Sequence, residues 1–353
     1  MNSRERVLSA FKRQTPDRVP KMIYYPMPFG KYFSDLARKN IGNEDPVKYL
    51  KLDVHGLLGY KATNKKYDFS RYHPRNIKID GEINEWGGVW KGDHISPFYP
   101  MKDITNSGEV ESYPFPDVNA PYRWEGLEDE IKKMKAAGFP AIQRYECGTF
   151  EQLWDLRGMD NLLVDFFDEP PFLFPLLEKV SDIKAGIAAN YAKAGMDVVW
   201  TGDDLGAEKS MLLNPDMWRK YLKPCSKKII AAARKENPDV LIAFHCDGFM
   251  EPVIPDLIEI GVDILHPVQP ECMDPAKIKK KYGSSISFWG TIGCQHTLPC
   301  GKPDEVKREV KERIATVAAG GGLLIAPSHF VYPPTPWANI IAFAEAVEEY
   351  GKY

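Results

Sequence analysis

Polar residues follow short apolar runs at six places in this 353-residue chain, and their types are those of acid–base and metal chemistry. Glu146 ends one run, just ahead of Cys147-Gly148-Thr149-Phe150. Asp203 and Asp204 lie in Gly202-Asp203-Asp204-Leu205-Gly206, and His245 and Asp247 in Phe244-His245-Cys246-Asp247-Gly248. The other ends read His266-Pro267-Val268-Gln269, 290–296, and Pro327-Ser328-His329. Carboxylates gathered at one point repel each other unless a cation neutralises them. His245, Asp247 and His329 are therefore expected to hold a divalent metal, zinc or iron(II) by the nitrogen and oxygen character of the set. The competing reading is a hydrogen-bond network with no ion. Glu146 is expected as a fourth ligand or a general acid. Asp203 and Asp204 orient that shell or accept a hydrogen bond from substrate, unless they cap the following helix.

Such groups converge only if the elements carrying them share one rim. Eight apolar runs rich in β-branched and aromatic residues, at 20–24, 55–60, 140–145, 197–201, 240–244, 262–266, 285–289 and 322–326, alternate with segments of helical period. That alternation predicts a parallel sheet of β-α units, and eight of them predict a (β/α)8 TIM barrel with its site at the carboxyl ends of the strands. A dinucleotide-binding open sheet is disfavoured, because no GxGxxG follows any run. Asn214-Pro215-Asp216 reads as a helix start, and Val306, Val310, Ile314 and Val317 share one face of another helix. Between the second and third strands, residues 77–90 alternate around Asp80-Gly81, which predicts a β-hairpin insertion over the barrel mouth. Tyr24, Tyr25 and Phe29 after the first strand, with Trp86 and Trp90 on the hairpin, are expected to stack on a planar substrate. The alternative is that they anchor the hairpin.

Composition sets the outer limits. A hydrophobic content of 44% suits one large core, so residues 1–353 are read as a single domain. A formal net charge of -3 with dispersed lysines and arginines gives no field for nucleic acid. The start of the chain lacks a secretory signal, and no apolar run reaches the roughly 18 residues of a membrane span, which predicts a cytoplasmic protein. The six cysteines, without a CxxC pair, are expected to be reduced. A homodimer is among the states allowed.

Several motifs together resemble the uroporphyrinogen decarboxylase superfamily over nearly the whole chain: Ser3-Arg4-Glu5-Arg6-Val7, Thr15-Pro16-Asp17-Arg18-Val19-Pro20, Leu156-Arg157-Gly158, the strand ends at 202–206 and 244–248, Phe288-Trp289-Gly290, and Gly320-Gly321-Gly322 with Ala326-Pro327-Ser328-His329. The resemblance implies one of two chemistries. True decarboxylases carry an Arg-Gln-Ala-Gly-Arg-Tyr stretch after the first strand and an aspartate after the second, whereas this chain reads Lys21-Met22-Ile23-Tyr24-Tyr25-Pro26 and Leu57-Leu58-Gly59-Tyr60-Lys61. A polycarboxylate would lack its arginine partners. The corrinoid-dependent methyltransferase branch holds zinc by a His-x-Cys pair on the fifth strand and a cysteine after the eighth. Here His245 matches the histidine, Asp247 stands at the first cysteine and His329 near the second. The resemblance thus implies methyl transfer from a small methylated, methoxylated and possible aromatic compound to a corrinoid, with zinc activating the ether oxygen. No Asp-x-His-x-x-Gly corrinoid motif is present, so the corrinoid is expected on a separate carrier protein. Decarboxylation of a tetrapyrrole and a non-catalytic ligand-binding barrel are the alternatives.

Overall fold

The computed structural model describes residues 1–24, 31–73, 81–91, 94–95 and 98–353. Strand β1 is Leu57–Leu58, and β2 (Glu82–Ile83), β3 (Val89–Lys91) and β4 (His94–Ile95) form a small antiparallel sheet. The main sheet adds β5 (Ile142–Gln143), β6 (Glu146–Cys147), β7 (Val198–Gly202), β8 (Leu241–His245), β9 (Ile264–His266), β10 (Ser287–Ile292) and β11 (Leu323–Pro327). Its order is β1-β5-β7-β8-β9-β10-β11 with β6 also on β7, and every pairing is parallel among the described residues. Helices cover it from outside, the longest being Leu173–Ala194 and Pro215–Glu236. The second begins as its sequence predicts, with the Asn214 side chain accepting from the Asp216 amide at 2.8 Å ahead of Pro215.

The sheet curls. Beyond β11 it meets the segment around Lys21, where the Met22 amide donates to Ile325 O at 3.0 Å and the Ile325 amide to Pro20 O at 2.9 Å. Lys21 O in turn accepts the Asp53 amide at 2.8 Å, just ahead of β1. The expected strand at 20–24 is present only as an isolated parallel bridge from Lys21 to Ile325, since Pro20 has no amide hydrogen to extend the ladder. The run at 140–145 is a strand only at β5, and a second short strand, β6, follows it at Glu146–Cys147; both are laid on β7.

Side-chain alternation divides the core in two. Along β8, Ile242 and Phe244 face the helices, while Leu241 and Ala243 face inward with Tyr24, Trp200, Trp289 and Ala326. Trp200 and Trp289 meet with ring centroids 4.5 Å apart, and Tyr24 stacks near both at 6.1 and 6.2 Å. The interior is packed, as side chains converging from opposite strands require. At the other end, fully buried Asp53 accepts from Arg6 at 2.7 Å, Arg18 at 2.8 Å and the Lys21 amide at 2.9 Å. These contacts tie helix Ser3–Phe11 across the amino ends of the strands. Among the described residues no helix is long and apolar enough to cross a membrane.

Candidate active site

Continuing the β8 alternation, His245 points inward at the carboxyl end, and its neighbours come from the adjacent strand ends. Its Nε2 lies 3.5 Å from Asp204 Oδ1 and 3.9 Å from Asp247 Oδ1. Asp204, His245 and Asp247 offer ligand atoms all within 4.8 Å of one another. His329 Nε2 sits 3.6 Å from Asp247 Oδ2, with its ring centroid 6.5 Å from that of His245. About a third of the Asp204, Asp247 and His329 side chains is open to solvent, whereas His245 is 8% exposed, so the group forms a rim with a buried anchor.

Local structure holds these positions. Gly202, at φ 154°, lets β7 lie close to β8: a Cβ there would stand 2.1 Å from His245 O. The Asp247 amide donates to Asp204 Oδ1 at 2.8 Å, which locks the two loops together. Beneath Asp204 lies Glu151, whose Oε1 accepts the Asp204 amide at 2.9 Å and whose carboxyl oxygens lie 3.0 and 2.9 Å from the Tyr145 hydroxyl. Burial, then Asp204 and Asp203, push the Glu151 carboxyl well above the usual range, against the hydrogen bonds from Tyr145 and the Asp204 amide. Asp247 is pushed up to about 6 by burial, against the pull of His245 and with the repulsion of Asp204 and Glu271.

Of the residues expected from sequence, the structure gathers His245 and Asp247 with Asp204 and brings His329 to Asp247. Asp203 is turned away: its Oδ1 accepts the Glu151 amide at 3.0 Å at the start of helix Thr149–Arg157, so it caps a helix that precedes it in the chain and not the one that follows. Gly148 makes room for it, because a Cβ there would fall 2.5 Å from Asp203 Oδ2. The expectation for Glu146 is corrected, since its carboxylate faces the helices and pairs with buried Lys184 at 2.6 Å, outside the His245 group. Tyr24 is corrected too. It is 2% exposed, in the floor under the site, where its hydroxyl bonds His266 Nε2. Trp86 is 6% exposed and packs into the outer core, with the Lys184 ammonium 5.0 Å above its ring. Tyr25, Phe29 and the side chain of Trp90 lie outside the described residues. Sequence reasoning missed Glu151, Tyr145 and the role of His266. For His266 a signal existed, a histidine ending a strand of inward alternation. Glu151 left none, because the depth of a first-turn glutamate depends on where its helix docks.

The set fits a metal by an observation of its own. Edges of a tetrahedral zinc shell built from roughly 2.0–2.1 Å bonds are about 3.3 Å long, near the spacings of 3.5, 3.6 and 3.9 Å found here.

Comparison with known proteins identifies the family. Methylcobamide:CoM methyltransferase MtaA of Methanosarcina barkeri is 30% identical over 180 residues, 50% of this chain and 49% of that protein. The chain thus spans about half the length of the curated methyltransferases it matches. Uroporphyrinogen decarboxylase of Actinobacillus succinogenes is 23% identical over 269 residues, 71% of each chain. A solved methyltransferase from Methanosarcina mazei shares the fold, with a TM-score of 0.67 at 18% identity over 99% of both chains. Residues 153–350, which carry β7 to β11 and all four groups at the rim, match the uroporphyrinogen decarboxylase (URO-D) family, and the chain belongs to it.

Proposed function

We propose that this protein is a methyltransferase that moves a methyl group from a small methoxylated substrate to the corrinoid of a separate carrier protein, at a metal held by His245, Asp204 and Asp247, with His329 beside them. The observation that carries the reading is the oxygen-rich cluster, three groups within 4.8 Å at the carboxyl rim of a fold with methyltransferase relatives. We read the curled sheet as the wall of a (β/α)8 barrel, with the β2–β4 sheet as an insertion near its mouth.

A zinc ion bound there would act as a Lewis acid on an ether oxygen, and carboxylate ligands suit oxygen better than thiolates would. The protein's own groups do the rest. Asp204 and Asp247 fix the approach of the reacting oxygen, and the locked loop pair keeps them from spreading. Glu151 and Tyr145 seal the site from below. The aromatic floor excludes water on that side, which strengthens every charge interaction above it.

Decarboxylation of a tetrapyrrole is the weaker reading. Asp247 is flanked by Asp204 and Glu271, and a substrate with many carboxylates would meet that negative rim without a compensating arginine in the cluster.

The test is elemental analysis of purified protein together with demethylation of a panel of methoxylated compounds in the presence of a corrinoid carrier. Stoichiometric metal and activity are expected, and His245→Ala loses both while staying folded. A fully active, metal-free protein would end this proposal.

A further inference from the structure

Below the rim, a chain of hydrogen bonds runs inward from His245. Its Nδ1 lies 2.7 Å from Nδ1 of His266, and Nε2 of His266 bonds the Tyr24 hydroxyl. His266 is 2% exposed, edge-on to Trp200 and Trp289 at 4.7 and 4.8 Å. Burial, with His245 and His329 nearby, keeps its imidazole neutral. With both rings neutral, each carries one N–H and one lone pair, so the two facing Nδ1 atoms cannot both donate or both accept.

Two arrangements satisfy this contact. In one, Tyr24 donates to His266 Nε2, His266 Nδ1–H donates to His245 Nδ1, and His245 presents Nε2–H to Asp204. In the other, His245 Nδ1–H donates to His266 Nδ1 and His266 Nε2–H to the Tyr24 oxygen. His245 then presents a bare Nε2 lone pair to Asp204 and Asp247. Only the second can hold a metal through Nε2. It also leaves the Tyr24 hydroxyl hydrogen without its acceptor.

We propose that His266 and Tyr24 are positioning residues that set the tautomer of His245: His266 supplies the acceptor that frees Nε2 for a metal, and the Tyr24 hydroxyl favours the opposite, metal-free arrangement. This rests on the metal reading above for its consequence, though not for its hydrogen bonds. His266 touches no ligand atom other than His245, so its effect passes through that ring alone.

The experiment uses the full chain with 15N-labelled histidine and zinc as the probe, reading tautomers from two-bond 1H–15N correlations and affinity from competition with a chromogenic chelator. Zinc is expected to move the proton of His245 from Nε2 to Nδ1 and, in the same titration, that of His266 from Nδ1 to Nε2. His266→Phe weakens zinc binding by about 10- to 100-fold, the usual cost of losing the partner of a ligating histidine. Tyr24→Phe, the milder change should His266→Phe not fold, has the opposite sign: zinc binds several-fold more tightly, and the Nδ1–H form of His245 grows in the zinc-free protein. A packing role for Tyr24 would instead weaken binding. The proposal is overturned if zinc changes the His245 tautomer alone, or if Tyr24→Phe leaves that tautomer and the affinity as in wild type or weakens binding. Should wild type take up no zinc while Tyr24→Phe still shifts the His245 tautomer, the metal reading falls and the relay stands.

Discussion

At the residue scale, the site's chemistry depends on carboxyls kept where water does not fully reach them. Asp155, in helix Thr149–Arg157, makes the point away from the rim. Burial pushes its carboxyl up to about 7, the nearby Lys184 and a hydrogen bond from Trp154 pulling the other way, and among the described residues its Oδ1 is buried with no hydrogen-bond partner. A carboxyl whose pKa is higher in the folded than in the unfolded chain favours folding below the unfolded value, and that contribution is lost as pH rises through the folded one. Stability should therefore fall from about pH 4 to about pH 7 through this group. Asp155→Asn, neutral throughout, is expected to flatten that part of the profile. The ceiling is about 4 kcal/mol, at roughly 1.36 kcal/mol per pH unit between the ordinary and raised values. Urea unfolding of both proteins across that range measures it, and parallel profiles would show that Asp155 does not carry the slope. Nothing in the sequence around Asp155 announces this, because a buried helix acid and an exposed one read alike until the neighbouring helix is placed.

Elements turn these residues into a site through close approach of β7 and β8. Gly202→Ala would drive a methyl group into the β8 backbone at His245. The strand has to give way and takes the anchor of the rim with it. Overpacking of this kind costs about 1–3 kcal/mol. The expected outcome is a lower melting temperature together with reduced metal retention, measured on one preparation, and wild-type values for both would contradict the account of how His245 is positioned. Much at this scale was legible beforehand. Strands expected at 197–201 and 240–244 are found as Val198–Gly202 and Leu241–His245, since long β-branched runs bounded by polar turns have few other solutions. The segment at 20–24 was less so: a proline inside it leaves one bridge where a ladder was expected. The shortness of the strand within 140–145 likewise follows from local geometry that no period reveals.

For the whole molecule, the sequence located the rim because residues at the ends of parallel strands must share a side, whatever the details between them. It could not rank them. Glu146, Asp203 and Asp204 look equivalent on the page, and only the direction of each strand end sends the first to Lys184, the second to a helix start and the third to His245. The aromatic floor was likewise misjudged, with Tyr24 placed on a substrate and found under it. That floor has a further consequence. Among the described residues, Trp200, Trp289 and Tyr24 fill the central axis below His245, so the site is a well closed from beneath. Traffic through such a well is last in, first out. For the reaction proposed above, the small substrate has to enter before a carrier protein covers the opening, and its demethylated remnant leaves only after the carrier does. Initial-rate kinetics should show compulsory order, with the demethylated remnant inhibiting competitively against the small substrate and the methylated carrier noncompetitively; random order would mean a second way in.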